Sequence, residues 1–292
     1  MTPATRPAPF AMLASRMRAD EKRLLDAFER RGLECEYVDS RASWTLLGAP
    51  RPRHQVVLNR EIGHARALYA ARSLESAGAT VVNSAAATEV CGDKWQTSTA
   101  LRAHGLPTPR TALGLTPEAA LEALEVIGYP AVIKPLVGSW GRLVTLVPDR
   151  ATAGTVMEYI AALPAPQSHI VYVQELVAKP DRDIRVVVVG GEVLGATYRH
   201  GDQWRTNVAR GAVTEAFEPS PEMVKLSTEA AAAVGADIAG VDLIEDADGR
   251  VVVLEVNHGV EFSGFQRAVG DRVDVAGRIV EYLMARAQAW FE

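Results

Sequence analysis

The first ninety residues alternate between short apolar runs and stretches with helical spacing, which leaves few folds open to them. The apolar runs read FAMLAS, CEYV, VVLN and TVVNS. Between them, residues 19–32 and the segment HARALYAARSLESAG repeat apolar residues at helical intervals, and each ends at a glycine, a helix stop signal. Strands that alternate with helices form a parallel sheet covered by helices. We therefore predict a parallel α/β domain at residues 10–92, preceded by a flexible tail at residues 1–9.

Beyond residue 92 the pattern changes to α+β. Residues 93–180 combine helical stretches, DKWQTSTALRAHG and TPEAALEALEVIG, with strands in AVIKPLVGSWGRLVTLV and HIVYVQELV. Thr116 is placed to cap the second helix, with Pro117 at its first position. Residues 181–292 begin with the hairpin DIRVVVVGGEVLGATYR, whose turn is Gly190-Gly191, and end with a helix at about 271–290. We predict two α+β lobes in these ranges.

Charge and composition exclude several classes of partner. The formal net charge is −5, so a basic surface that binds nucleic acid is not expected. The sequence contains no run of 18 apolar residues, so no transmembrane helix is predicted. It also shows no recognisable apolar secretory signal. Cys35 and Cys91 form no CxxC pair. These features favour a cytoplasmic protein with no nucleic-acid or membrane partner.

Two apolar strands, VDLIE and VVVLEVN, each carry a carboxylate in the middle. A buried charge is costly unless it is paired or binds a metal. The turn EDADGR predicts antiparallel pairing that brings Asp242 close to Glu255, and Asn257 lies two residues further on the same face. Oxygen ligands of this kind suit Mg²⁺. The alternative is a pair of acids on edge strands that face water.

Three further segments carry polar groups in strand ends and loops. In IKPLVGSWGRLV, a glycine-rich loop follows Lys134 and is suited to present backbone N–H groups to phosphate, although taken alone a tight hairpin turn explains it better. The backbone of QELV is suited to form hydrogen bonds with the edge of an adenine base, and Asp183 is placed to bind a ribose hydroxyl. A further group of polar and cationic side chains is suited to bind carboxylates or phosphates, and it comprises Arg185, Arg199, Asn207 and Arg210. The alternative is an exposed loop rich in arginine.

The order of these motifs resembles that of the ATP-grasp ligases. The segments GDKWQTSTALRAHGLPTPRT, YPAVIKPLVGSWGR, VQELVAKPDRDIRVVVVGG and VDL…LEVN carry the likeness over about residues 10–285. CGDKW, KPLVGSWGRL, KPDRDIRV, NVARG and EVNHGVEF resemble more closely the LysX and ArgX ligases, which are RimK-like. The resemblance implies an ATP-grasp fold in which ATP lies between the two α+β lobes.

The resemblance also implies roles for individual residues. Two Mg²⁺ ions would be held by Asp242, Glu255 and Asn257, and Arg185 or Arg210 would neutralise charge during phosphoryl transfer. Residues for the ATP phosphates, adenine and ribose would be Lys94, Lys134, Gly138, Ser139, Trp140, Gly141, Arg142, Gln174, Glu175, Leu176, Val177, Asp183 and Asn207. Residues facing an amino-acid substrate would be Arg199, Asn207, Val208, Ala209, Arg210, Gly211, His258, Gly259, Val260, Glu261 and Phe262.

The function implied by the resemblance is amide-bond formation through an acyl phosphate, with release of ADP and phosphate. LysX-like ligases join the α-amino group of an amino acid to the γ-carboxylate of the C-terminal glutamate of a small acidic carrier, LysW. LysX acts on 2-aminoadipate and ArgX on glutamate. We expect Asp242→Ala or Glu255→Ala to abolish ADP release while the chain stays folded. A homo-oligomer, dimer or tetramer, is also expected.

Two departures from the family pattern leave the amino acid open. Gly259-Val260 follows EVNH where relatives carry a threonine-containing segment, and ARGA replaces the common ARGG. The substrate is therefore 2-aminoadipate, glutamate or a related amino acid, in lysine biosynthesis or in secondary metabolism. A RimK-like ligase that adds glutamate to a protein or cofactor tail is the second interpretation. A non-catalytic ATP-binding module is the third.

Overall fold

The computed structural model describes residues 9–48, 53–138, 141–201 and 213–288. These residues form three sheets, each built from a continuous part of the chain and covered by helices. The mixture of a parallel sheet with two antiparallel sheets confirms the predicted combination of α/β and α+β architecture.

The N-terminal sheet is parallel, as predicted, with the strand order β2-β1-β3-β4. Its strands and helices are β1 Phe10–Ala14, α1 Ala19–Arg30, β2 Cys35–Asp39, β3 Val56–Asn59, α2 His64–Ser76, β4 Thr80–Val82 and α3 Ala85–Gly92. The sequence reading missed α3, whose residues are mostly small and show little amphipathic periodicity. Its start is fixed by Ser84, whose side chain accepts a hydrogen bond from the amide of Ala87 at 3.1 Å.

The central sheet is antiparallel, with the order β5-β8-β6-β7. Its elements are α4 Lys94–Ala103, β5 Thr111–Gly114, α5 Pro117–Ile127, β6 Ala131–Lys134, β7 Thr145–Val147, α6 Arg150–Ala161 and β8 Val171–Glu175. The Thr116 hydroxyl caps α5 by accepting from the amide of Ala119 at 3.2 Å, and Pro117 is the first helical residue, which confirms both predictions. The short strand β5 is missed, because only its pairing with β8 makes TALG a strand.

The C-terminal sheet is antiparallel, with the order β11-β10-β9-β12-β13. Its elements are β9 Arg182–Val189, β10 Glu192–His200, β11 Val213–Phe217, α7 Pro221–Ala233, β12 Ile238–Glu245, β13 Val251–Asn257, α8 Ser263–Val269 and α9 Val275–Gln288. The predicted turn is confirmed, with Gly190 and Gly191 at φ +59° and +80°, angles that glycine adopts without strain. The last helix starts at Val275, later than predicted, and the sequence reading missed β11 and α8.

The N-terminal domain and the C-terminal lobe share one hydrophobic core. Phe10 and Phe28 of the first domain pack in the same cluster as Val187, Phe262 and Ile279 of the last. The central sheet has a core of its own beneath α5 and α6. The domain boundaries predicted at residues 92 and 180 stay predictions. The shared core places the end of the N-terminal sheet against the segment that follows β13.

Candidate functional site

The two carboxylate-bearing strands pair as the sequence predicts. In the ladder between β12 and β13, Asp242 lies directly opposite Glu255 and Gly240 opposite Asn257. The Asn257 amide nitrogen donates to the Gly240 carbonyl at 3.3 Å and lies 3.5 Å from an Asp242 carboxylate oxygen. The strand register therefore gathers the three predicted oxygen ligands on one face.

This set fits magnesium in its donor chemistry. It offers two carboxylates and an amide oxygen, all hard ligands. Among residues 9–48, 53–138, 141–201 and 213–288, no group of three or more His, Cys, Asp or Glu side chains is arranged for a metal. Mg²⁺ commonly takes one or two carboxylates from a protein and completes its coordination with water and substrate phosphates, and the two carboxylates of this set match that pattern.

Asp242 is buried and paired with two arginines. Arg185 donates to both carboxylate oxygens, at 2.5 and 3.0 Å, and a terminal nitrogen of Arg199 lies 3.1 Å from one of them. Burial by itself would raise the pKa of Asp242, but the two guanidinium charges outweigh it and hold the pKa below its ordinary value. The buried charge therefore has partners within the protein, which the sequence reading did not foresee.

The position of Arg199 is set by two carboxylates of the C-terminal sheet. The sequence predicts that Arg199 faces the amino-acid substrate, yet the residue is 5% exposed and lies between Asp183 and Asp242. Its Nε donates to Asp183 at 2.5 Å. Asp183, predicted to hold a ribose hydroxyl, is itself 7% exposed and engaged with Arg199. The guanidinium of Arg199 therefore pairs with two carboxylates of the protein, and its role at the amino-acid substrate stays a prediction.

Lys94 joins the glycine-rich segment to the carboxylate strands. It is the first residue of α4, and its amide donates to the Leu136 carbonyl at 3.0 Å. The ammonium donates to the Gly138 carbonyl at 2.8 Å and lies 3.8 Å from Glu255. Lys94 therefore sits where the central and C-terminal sheets meet.

Lys134 ends β6 and points toward the same centre of charge. Its ammonium donates to the Gln174 side-chain oxygen at 2.6 Å. Burial lowers the pKa of Lys134 to about 8, although the negative charges of Glu255 and Asp242 act in the opposite direction. A partly desolvated ammonium of this kind is suited to an anionic ligand.

A hydrogen-bond network behind Lys134 was missed by the sequence reading. The Tyr172 hydroxyl bonds with Ser98 at 2.8 Å and accepts from the Gln174 amide at 2.8 Å. Gln174 is 1% exposed, so its side chain supports Lys134 from the interior. The alternation in VYVQE places Tyr172 and Gln174 on one face, a signal that would have indicated this pair.

The predicted phosphate loop and substrate loop fall partly outside the described residues. Ser139 and Trp140 of the first, and Asn207, Val208, Ala209, Arg210 and Gly211 of the second, lie outside them. The flanking residues Gly138, Gly141 and Arg142 are described. At the adenine segment, the carboxylate of Glu175 accepts from the amide of Arg110 at 2.7 Å. The roles of these residues stay predictions.

The segment after β13 divides into exposed and buried positions. Gly259 and Glu261 are exposed, whereas Val260 and Phe262 are 1% and 0% exposed and belong to the shared core. The side chains of Val260 and Phe262 pack in this core, and the substrate role of residues 258–262 stays a prediction. Burial lowers the pKa of His258 to about 4, so its imidazole is neutral at physiological pH.

In the candidate site, two lysines beside the central sheet face carboxylates on the C-terminal sheet, which is the arrangement that the ATP-grasp resemblance implies. The RimK-like ATP-grasp domain family matches residues 91–283, and the LysX preATP-grasp domain family matches residues 10–90. The chain therefore belongs to the RimK-like ATP-grasp family. It is a ligase, and ligases of this family use ATP and Mg²⁺.

Individual relatives align over nearly the whole chain. The chain is 32% identical to a glutamate–LysW ligase, ArgX, of Sulfolobus acidocaldarius, and the alignment covers 94% of this chain and 97% of that protein. It is 30% identical to an α-aminoadipate–LysW ligase, LysX, of the same organism, covering 94% and 100%. The crystal structure of a RimK domain ATP-grasp protein from Sphaerobacter thermophilus superposes with a TM-score of 0.79 at 29% identity, covering 94% and 99%.

None of the helices in the described ranges has the length and apolar character needed to cross a membrane.

Proposed function

We propose that this chain joins the α-amino group of an amino acid to the γ-carboxylate of the C-terminal glutamate of a LysW-type carrier protein. ATP is the energy source, and ADP and phosphate are released. The relatives ArgX and LysX, named as LysW ligases, support the carrier as the acceptor. Glutamate, 2-aminoadipate and a related amino acid are the candidate substrates.

The observation that carries the proposal is the convergence of two lysines with the carboxylate pair. Lys94 lies 3.8 Å from Glu255, and the charges of Lys94, Glu255 and Asp242 all act on Lys134. This arrangement suits a triphosphate that enters between the central and C-terminal sheets. The two ammonium groups would bind phosphate oxygens, and their positions are fixed by β6 and the start of α4.

Asp242, Glu255 and Asn257 would hold Mg²⁺, and we propose two ions. Bound Mg²⁺ supplies positive charge next to the phosphate oxygens. The carrier carboxylate attacks the γ-phosphorus of ATP, the bond to the bridging oxygen breaks, and ADP leaves. The amino group then attacks the acyl phosphate, phosphate leaves, and the amine loses a proton. Catalysis of the first step is chiefly positioning and charge stabilisation, for which we propose Arg185 or Arg210.

The direct test is loading of a purified LysW-type carrier. Carrier, ATP and Mg²⁺ are incubated with 2-aminoadipate, glutamate and a panel of other amino acids, and the carrier is measured by intact mass spectrometry. We expect one addition, of one amino acid, with equal ADP release. A carrier whose C-terminal glutamate is replaced by glutamine is the matched control and should gain no mass. ADP release without any mass gain across the panel contradicts the proposal.

The RimK-like character of the matched family favours one alternative, a ligase that adds glutamate to a protein or cofactor tail. That activity predicts a ladder of repeated glutamate additions instead of a single one. A non-catalytic ATP-binding module, the third interpretation, predicts nucleotide binding without ADP release under any of these conditions.

The choice between lysine biosynthesis and secondary metabolism follows from which amino acid is loaded. A homo-oligomer, dimer or tetramer, is proposed as the assembly, and light scattering of the purified protein measures it.

A further inference from the structure

Asp20, Glu21 and Arg60 are buried charged residues of the N-terminal domain that lie outside the proposed catalytic centre. Asp20 and Glu21, in the first turn of α1, are 4% and 0% exposed, and Arg60, directly after β3, is 5% exposed. Charged residues are rarely buried to this extent without a specific partner. Their partners therefore indicate what the cluster does.

Arg60 connects this cluster to the segment that follows β13. Its Nε donates to Glu21 at 2.9 Å, and a terminal nitrogen lies 3.6 Å from Asp20. The other terminal nitrogen donates to the backbone carbonyl of Val260 at 2.8 Å. The guanidinium also lies 5.9 Å from the ring centroid of Phe262. The side chain of Arg60 thus contacts a residue that lies 200 positions away in sequence.

Asp20 binds the same segment at two further points. One carboxylate oxygen accepts from the backbone amide of Phe262 at 2.8 Å. The other accepts from the hydroxyl of Ser263. Charged side chains therefore bind two groups of the loop backbone: Asp20 binds the amide of Phe262, and Arg60 binds the carbonyl of Val260. Charged groups form stronger hydrogen bonds than neutral ones.

The exposed part of the segment is restrained as well. Arg18 lies 2.5 Å from the carboxylate of Glu261, while its other nitrogens bind Glu21 at 2.8 and 2.9 Å. Burial would raise the pKa of Glu21, but Arg18 and Arg60 lower it, so Glu21 stays ionised between them.

We propose that Asp20 and Arg60 are positioning residues that fix the backbone of residues 258–263 and thereby shape the amino-acid subsite. The segment starts one residue after Asn257, so the same stretch of chain carries a proposed metal ligand and proposed substrate contacts. Because the bonds from Arg60 to Val260 and from Asp20 to Phe262 go to the backbone of the loop, they set its path whatever the side chains at these two positions are. The inference rests on the proposed function for its effect on catalysis, but the restraint on the loop is independent of it.

The test uses the full-length protein and three variants. Asp20→Asn weakens both bonds from Asp20, and Ser263→Ala removes one bond while leaving the buried charges in place. Arg30→Ala is the matched control, because Arg30 lies at the other end of α1 and pairs with Asp274 at 3.2 Å, both side chains being 55% exposed. Hydrogen exchange of a peptide spanning residues 258–265 reports on the loop directly.

We expect faster exchange of this peptide in Asp20→Asn and Ser263→Ala, and no change in Arg30→Ala. In carrier loading, KM for the amino acid should rise about tenfold in Asp20→Asn, which weakens two hydrogen bonds to the loop, and about threefold in Ser263→Ala, which removes one of them. KM for ATP should stay within about twofold, since neither bond contacts the lysines or the carboxylate pair.

Unchanged exchange in both variants overturns the inference, whatever happens to activity. A lowered melting temperature with an unchanged KM for the amino acid also overturns it, because a merely structural contact between domains would give that result. A rise in KM for ATP as large as the rise in KM for the amino acid also overturns the inference. Failure of the wild-type protein to load any carrier overturns the proposed function instead, and the exchange result still decides whether the loop is held by Asp20.

Discussion

Among the described residues, two of the clusters of buried charge are formed in different ways. In the C-terminal sheet, Arg199 lies opposite Asp183 and Arg185 opposite Asp242 in the strand ladders, so each pair is a direct cross-strand neighbour. In the N-terminal cluster, Arg60 reaches Glu21 and then Val260, across 39 and 200 residues of sequence. The first cluster is produced by strand register, and the second by the packing of one domain on another.

This difference indicates which properties of the protein each cluster controls. Groups paired by register are fixed by a rigid sheet, which suits a centre that positions metal ligands. Groups paired across a domain boundary hold a loop, and the position of a loop is set by few contacts. We therefore expect changes in the register cluster to act on chemistry and stability together, and changes in the packing cluster to act on the binding of one substrate.

The largest effect is expected for Asp242→Asn. The change should abolish ADP release, and it leaves Arg185 and Arg199 without their buried carboxylate. Breaking a buried ion pair from one side typically costs about 3–5 kcal/mol, so the free energy of unfolding should fall by about that amount. Urea denaturation measures it. The sequence analysis predicts that an Asp242 variant stays folded, and the same measurement checks this prediction.

Glu255→Gln is the matched comparison. The Glu255 side chain is 25% exposed, and its ion pair with Lys94 is 3.8 Å long. ADP release should be lost as fully as in Asp242→Asn, while the free energy of unfolding changes by about 1 kcal/mol or less. Full activity in Glu255→Gln would remove the carboxylate pair from the mechanism.

A double-mutant cycle sharpens the distinction between the clusters. Glu21→Gln and Arg60→Met affect groups 2.9 Å apart, so their effects on the free energy of unfolding should differ from additivity by about 0.5–3 kcal/mol. Glu21→Gln and Arg199→Met act on different partners and should be additive within about 0.5 kcal/mol. Strong coupling between Glu21 and Arg199 would show that the two clusters behave as one network.

A pH-dependent effect is expected for Lys134, a cation that donates to an amide instead of a carboxylate. Its pKa is about 8 in the folded chain against an ordinary value of 10.5, so between these values the unfolded chain binds more protons than the folded one. The free energy of unfolding should therefore rise with pH from about 8 to about 10.5. The rise should be smaller in Lys134→Met, which chemical denaturation at several pH values measures. Equal pH profiles would contradict the lowered pKa.

Much of the fold was accessible from local patterns. Alternating strands and helices predict the parallel sheet, and the Gly190-Gly191 turn fixes the hairpin. The elements that were missed, such as α3 and β5, are short and carry little periodicity of their own. They become regular only when neighbouring elements pair or pack with them, which a single sequence does not display.

The same division holds for the site. The pairing of Asp242 with Glu255 follows from two strands and a short turn, so the sequence by itself determined it. Only the tertiary structure decided that Arg199 is buried between two carboxylates, and that Asp20 and Arg60 hold the loop after β13. The physical reason is range: strand pairing across a tight turn is a local property, whereas the partner of a buried charge depends on which distant surfaces pack together.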